Sequence, residues 1–169
     1  MLSSDRPADG PPSLDRGSTL FLYLLRVIVT EQDGENRCAH GLCLRGADGA
    51  GLARSIGALA RALDRGCRKR IRLHAPASLS ASQDEIALVQ MISALQRQES
   101  SLASHTCKWL VHPPHQTALI ETGLVAAECL AFEGILLRLP LPPSPMSRNV
   151  PAADHTPAPG TGRLTLIAR

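Results

Sequence analysis

Three short stretches carry side chains able to do chemistry. In "CAHGLC", Cys38, His40 and Cys43 fall within six residues, and Cys67 is a further thiol downstream. Four thiolate or imidazole ligands at converging positions would hold zinc tetrahedrally. The usual zinc pattern is two close pairs separated by a loop, and no second pair of matching form follows. Cys38, His40, Cys43 and Cys67 are thus weak metal candidates, and the expectation is no metal and no cofactor. "HTC" and "HPPH" add His105, Cys107, His112 and His115. A catalytic thiol needs a neighbouring base or a helix N-terminus. Cys107 with His105 or His112 is the best pairing, yet all three lie on one short segment expected to be buried. Glu121 and Glu128 share a helix face about 10 Å apart, but lack the Glu-x-x-His companions of a di-metal site. "GADGAG" (46–51) lacks the Lys and Ser/Thr of a phosphate loop. No catalytic constellation results, and the chain reads as not an enzyme.

The densest signal is positive charge. "RGCRKRIRLHAP" (65–76) packs Arg65, Arg68, Lys69, Arg70 and Arg72 into eight positions. Upstream, Arg54, Arg61 and Arg65 are spaced by seven and four and line one stripe of a helix. Residues 45–72 hold eight basic and two acidic side chains, whereas 82–133 hold two basic and six acidic. Sixteen of the eighteen cations are Arg, the better bidentate partner for carboxylate and phosphate, although a GC-rich codon preference gives the same bias. Three readings follow. The run is the solvated side of an amphipathic helix and a half-buried strand; or it meets an acidic protein surface, including self-association; or it contacts nucleic-acid phosphates. No glycine-rich loop, interleaved aromatic or recognition-helix pair accompanies it, so nucleic acid is the alternative reading.

These residues must be positioned by helices. Ser18 is placed to cap a first helix to about Thr30, and the polar, glycine-rich stretch 31–51 reads as a loop. In "GLARSIGALARALDRG", Leu52, Ile56, Leu59 and Leu63 form a 3.6-period stripe, with Gly66 as a left-handed C-cap. Arg70, Arg72 and His74 alternate with Ile71 and Leu73, which predicts a short strand near 69–74. Ser82 and Glu85 form a capping box for a helix whose inner face is Ile86, Val89, Ile92 and Leu95, widened by Leu88 and Met91. Further helices are expected over 100–112 and 117–133, with Gly134 as a stop. "GILLRLPL" reads as a second short strand, and "RLTLIAR" as a short strand or a frayed end.

The expected organisation is a disordered segment over 1–17, a helical domain over 18–138, and a proline-rich, largely disordered tail over 139–169. The fold class is mainly α, with four to five helices and one or two short strands. Aromatics are only 2% of the chain, so the core is aliphatic and base-stacking sheets are excluded. The run "LFLYLLRVIV" (20–29) is too short to span a bilayer and is interrupted by Arg26. It also lacks the charge pattern and cleavage site of a signal peptide, so it reads as a buried helix and no membrane association is expected. Five cysteines without a framework pattern indicate reduced thiols and a cytoplasmic location.

In this order, a leucine-rich helix, an Arg-rich helix ending in "RGCRKRIRLHAP", a helix opened by "SASQDE" and an alanine-rich "ETGLVAAECLAFEG" occupy roughly residues 20–137. The arrangement resembles an uncharacterised family of small bacterial helical proteins of unknown function. That resemblance implies a small helical cytosolic domain and lends no catalytic residue. Members of that family often carry cysteines after the Arg-rich strand, where this chain has "APASLS". The functional expectation is a non-enzymatic accessory or interaction protein that presents its Arg-rich face to an acidic partner.

Overall fold

The computed structural model describes residues 14–31, 33–43, 49–138 and 164–165. Among them the chain is mainly helical. Six α-helices appear in order: α1 (Arg16–Thr30), α2 (Gly34–Cys43), α3 (Gly49–Gly66), α4 (Gln83–Gln96), α5 (Ser100–Leu110) and α6 (Gln116–Phe132). A 3₁₀ turn (Pro113–His115) leads into α6, and β1 (Arg72–Leu73) pairs antiparallel with β2 (Leu164–Thr165). No helix among the described residues is long and apolar enough to cross a membrane. Most of 1–17 and of the proline-rich tail lies outside the described residues.

α1 starts earlier than Ser18. Asp15 is the cap, accepting from the amides of Gly17 and Ser18 at 3.2 and 3.3 Å. A carboxylate also offsets the positive end of the helix dipole, which a hydroxyl does not. Ser18 sits three residues inside and is buried. Phe21, Leu22, Leu24 and Leu25 enter the core, while Tyr23 stays half-exposed.

The stretch read as a loop contains α2. Its residues have mediocre helix propensity, but Cys38 and Leu42, four apart, are both buried. Packing of that face therefore overrides local preference. The approach is close. A Cβ on Gly34 would collide with the Val27 carbonyl of α1, and one on Gly57 with the Glu35 carboxylate.

α3 is the axis of the molecule, packing against α1, α2 and α6. The predicted stripe Leu52, Ile56, Leu59 and Leu63 is fully buried. Gly66 ends α3 but does not adopt the left-handed conformation; among the described glycines only Gly134 does, at φ 70°. Gly66 is small for another reason: a Cβ there would lie 2.5 Å from the His115 Cβ. α3 thus meets the turn before α6 at one end, while Leu52 shares a groove with Cys129 and Phe132 at the other. The two helices run antiparallel.

The capping box at Ser82 and Glu85 is formed. Leu88, Val89, Met91, Ile92 and Leu95 are buried as expected, but Ile86 is only half-buried. Ala87, Ser93 and Ala94 are buried too, which makes α4 a central helix with almost no solvent side. Gly134 does stop α6: the Gly134 amide donates to Ala131 and the Ile135 amide to Leu130, the double bond of a Schellman turn. Residues 134–138 of "GILLRLPL" form no strand. Side chains fasten them instead: Ser93 Oγ donates to the Leu137 carbonyl, and the Leu137 amide donates to Gln96 Oε1, both at 2.9 Å. The strand expected near 69–74 shortens to Arg72–Leu73, and its partner comes from "RLTLIAR".

Candidate functional site

The basic segment is held by two acids at the start of α4. Asp84 Oδ2 accepts from the Arg72 amide at 2.9 Å, and Asp84 Oδ1 pairs with Lys69 Nζ at 2.8 Å. Glu85 Oε1 accepts from the His74 amide at 3.0 Å. Behind it lies the ion pair missed at the sequence level. Arg26 Nε donates to Glu85 Oε1 at 2.7 Å and Arg26 Nη2 to Oε2 at 3.0 Å, with both side chains almost wholly buried. Arg26 also donates to the carbonyls of Ser78 and Ser80 at 2.7 and 2.8 Å. A longer 3.5 Å contact to Ala75 uses its fifth proton. Glu85 takes the Ser82 amide as well, so both partners are saturated, which a buried charge requires. The lone Arg in an apolar run and the capping-box Glu were each visible in the sequence; only the tertiary structure joins them.

Behind this anchor, Arg54, Arg61, Arg65, Arg68, Lys69, Arg70 and Arg72 are all exposed. They differ in how far neighbours neutralise them. Arg61 is ion-paired with Glu35 of α2, and Lys69 with Asp84. Arg54, Arg65, Arg68, Arg70 and Arg72 have no carboxylate within ion-pair distance among the described residues.

A second helix end joins the cluster. The Arg68 amide donates to the Leu110 carbonyl at 3.0 Å, the His112 amide to the Gly66 carbonyl at 2.9 Å, and Cys67 bridges to Val111. Arg68 Nη1 donates to the Lys108 carbonyl at 2.9 Å. The C-termini of α3 and α5 therefore lie side by side, which brings Lys108 and the half-exposed Trp109 to the arginines. Lys69 Nζ stands 3.8 Å from the centroid of the Trp109 ring, within cation–π range. No local pattern announces this junction, because it depends on a contact more than forty residues apart.

Among the described residues the candidate metal ligands are not gathered. Cys38 is buried with its Sγ 3.9 Å from the Leu24 carbonyl, whereas His40 on the same helix faces solvent. Cys67 lies beyond α3, its thiol donating to the Asp64 carbonyl at 3.6 Å. The side chain of Cys43 lies outside the described residues. Among the described residues no group of three metal-ligating side chains occurs. Burial pushes the Cys38 thiol up to about 11, with the nearby Glu31 charge adding to it. Cys107 is pushed up by burial as well, and its thiol donates to the Gln116 carbonyl at 3.6 Å, while His105 and His112 face solvent. Neither thiol is activated. Glu121 and Glu128 are exposed on α6, and residues 46–48 of "GADGAG" lie outside the described residues.

Compared with known proteins, the chain matches no family model, no curated protein and no solved structure.

Proposed function

We propose that this chain is a non-enzymatic, cytoplasmic accessory protein that offers its arginine-rich face to an acidic protein partner. The supporting observation is the corner where α3 and α5 end. There Arg65, Arg68, Arg70 and Arg72 are exposed and unopposed by carboxylate among the described residues, while Arg61 and Lys69 are neutralised in cis. An arginine fork recognises a carboxylate bidentately and is weakly hydrated, so it suits a protein interface. The inactivated thiols support a non-enzymatic role, and cysteines 38, 67, 107 and 129, all unbridged, suit a reducing compartment.

Trp109 favours a second reading. An aromatic face beside arginines can stack a base of single-stranded nucleic acid. Fluorescence anisotropy separates the two readings, using a labelled Glu-rich peptide and a labelled single-stranded oligonucleotide, each titrated at low and physiological salt. The peptide is expected to bind, and to lose at least tenfold in affinity to R65E/R68E/R70E/R72E. Oligonucleotide binding that weakens steeply with salt and falls with Trp109→Ala would replace the first reading with the second. Binding of neither probe, or binding indifferent to charge reversal, overturns both.

A further inference from the structure

α6 has a solvent side of unusual composition. Ala118, Glu121, Val125, Glu128 and Phe132 recur at spacings of three and four and are all exposed, as is Leu124. Val125 is 51% and Phe132 86% exposed. An amphipathic surface helix normally turns polar residues outward. Here the outward stripe is apolar except for two carboxylates seven residues apart.

α3 lies beside it, antiparallel. Leu52 neighbours Cys129 and Gly66 neighbours His115, so Arg54 stands about level with Glu128, and Arg61 about level with Glu121. All four side chains are exposed, and neither Arg pairs with either Glu within the chain. The two helices thus present parallel rows of opposite charge at matching heights, with apolar residues along the acidic row.

We infer that this face binds a second copy of the same chain about a twofold axis parallel to α3 and α6. Such an axis lays α3 of one copy over α6 of the other and preserves heights. Arg54 then meets Glu128 of the second copy, and Arg61 meets Glu121 of the second copy. Symmetry repeats both pairs, so the interface is self-complementary. Val125 and Phe132 are covered between the rows. Arg61 keeps its half-exposed Glu35 or exchanges it at little cost, since exposed ion pairs are worth little. Two helices about 26 Å long and about 10 Å wide offer roughly 500 Å² per copy. That total of about 1,000 Å² is at the low end of specific interfaces and fits a micromolar dimer. The face adjoins the corner at Arg65, but its four charge pairs use none of Arg65, Arg68, Arg70 and Arg72, so the variants that test one reading leave the residues of the other in place.

Sedimentation equilibrium of the full chain tests the inference. The mass average should climb from 18.0 kDa towards twice that value as concentration rises, over about 1 to about 200 μM. The variants E121R/E128R and R54E/R61E should each dissociate at least tenfold more readily, with unchanged circular dichroism. Mixed one to one, they should form a heterodimer, because both like-charge contacts become opposite-charge contacts. The fourfold variant R54E/R61E/E121R/E128R, whose net charge is unaltered, should self-associate again. A wild-type chain that stays at 18.0 kDa throughout overturns the proposal, and so does a fourfold variant that stays monomeric.

Discussion

The Arg26–Glu85 pair can be cut in a way whose energetics the structure fixes. Removing one partner, by Arg26→Met or Glu85→Leu, leaves an ion with almost no solvent access. Breaking a buried pair from one side costs about 3–5 kcal/mol. Domains of this size are stable by about 5–15 kcal/mol, so either variant sits near its unfolding threshold. Removing both partners is different, because no charge is stranded. What remains is a set of backbone groups: the amides of His74 and Ser82 and the carbonyls of Ala75, Ser78 and Ser80. Ala75 and Ser80 are exposed and can turn to water. The two amides and the Ser78 carbonyl carry the loss, at about 1 kcal/mol each. The double variant should therefore lose about 3 kcal/mol, against about 6–10 kcal/mol for the summed single variants. Urea denaturation of the four proteins, followed by helical circular dichroism, measures the coupling. Additivity within about 0.5 kcal/mol would show that the pair does not act as a unit and refute the reasoning.

Other outcomes follow from single sites. Gly66→Ala should destabilise by about 1–3 kcal/mol through its collision with His115. Gly41→Ala, in open space on α2, should stabilise by about 0.5–1 kcal/mol; thermal melts showing the same sign for both would contradict the packing described. The thiol of Cys38 is higher in the folded state, about 11 against 9.0, so its contribution is intact below pH 9 and lost as pH rises through 11. The wild type should lose up to about 3 kcal/mol more than Cys38→Ala across that window, read from urea midpoints at each pH. Asp64 Oδ1 is buried without a hydrogen-bond partner in the last turn of α3, where a negative charge also opposes the dipole. Asp64→Asn should raise stability by about 0.5–1 kcal/mol; a clear drop in melting temperature would mean that the oxygen has a partner after all.

Periodic elements were legible in the sequence because their signals are local. The α3 stripe, the Ser82–Glu85 box and the Gly134 stop each depend on residues within about three turns of one another. α2 was not legible, since its formation rests on Cys38 and Leu42 finding α1 and α3 rather than on propensity. Gly66 shows a subtler failure. The glycine was rightly read as a helix end, but the cause is the approach of His115, not backbone handedness. At the candidate site, the seven cations were visible and are exposed. Which of them are neutralised was not visible, because Glu35, Asp84 and the end of α5 arrive only through the tertiary structure.

The lopsided charge count needs the same sorting. Of the six acids between 82 and 133, Asp84 and Glu85 are spent inward, and Glu99 sits 3.7 Å from Arg97. The acidic half is thus less acidic on its surface than its composition implies. The basic corner persists for a different reason. Arg65 lies in the last turn of α3 and Lys108 in the last turn of α5, and Arg68 donates to the Lys108 carbonyl. Two helix C-termini side by side concentrate negative partial charge, which stabilises cations without any carboxylate. Backbone dipoles hold these side chains together; Arg68 gives Nη1 to the Lys108 carbonyl, and the guanidinium forks otherwise stay open to an outside anion. A carboxylate in the same place would have taken up part of a fork, as Glu35 takes one Nη of Arg61.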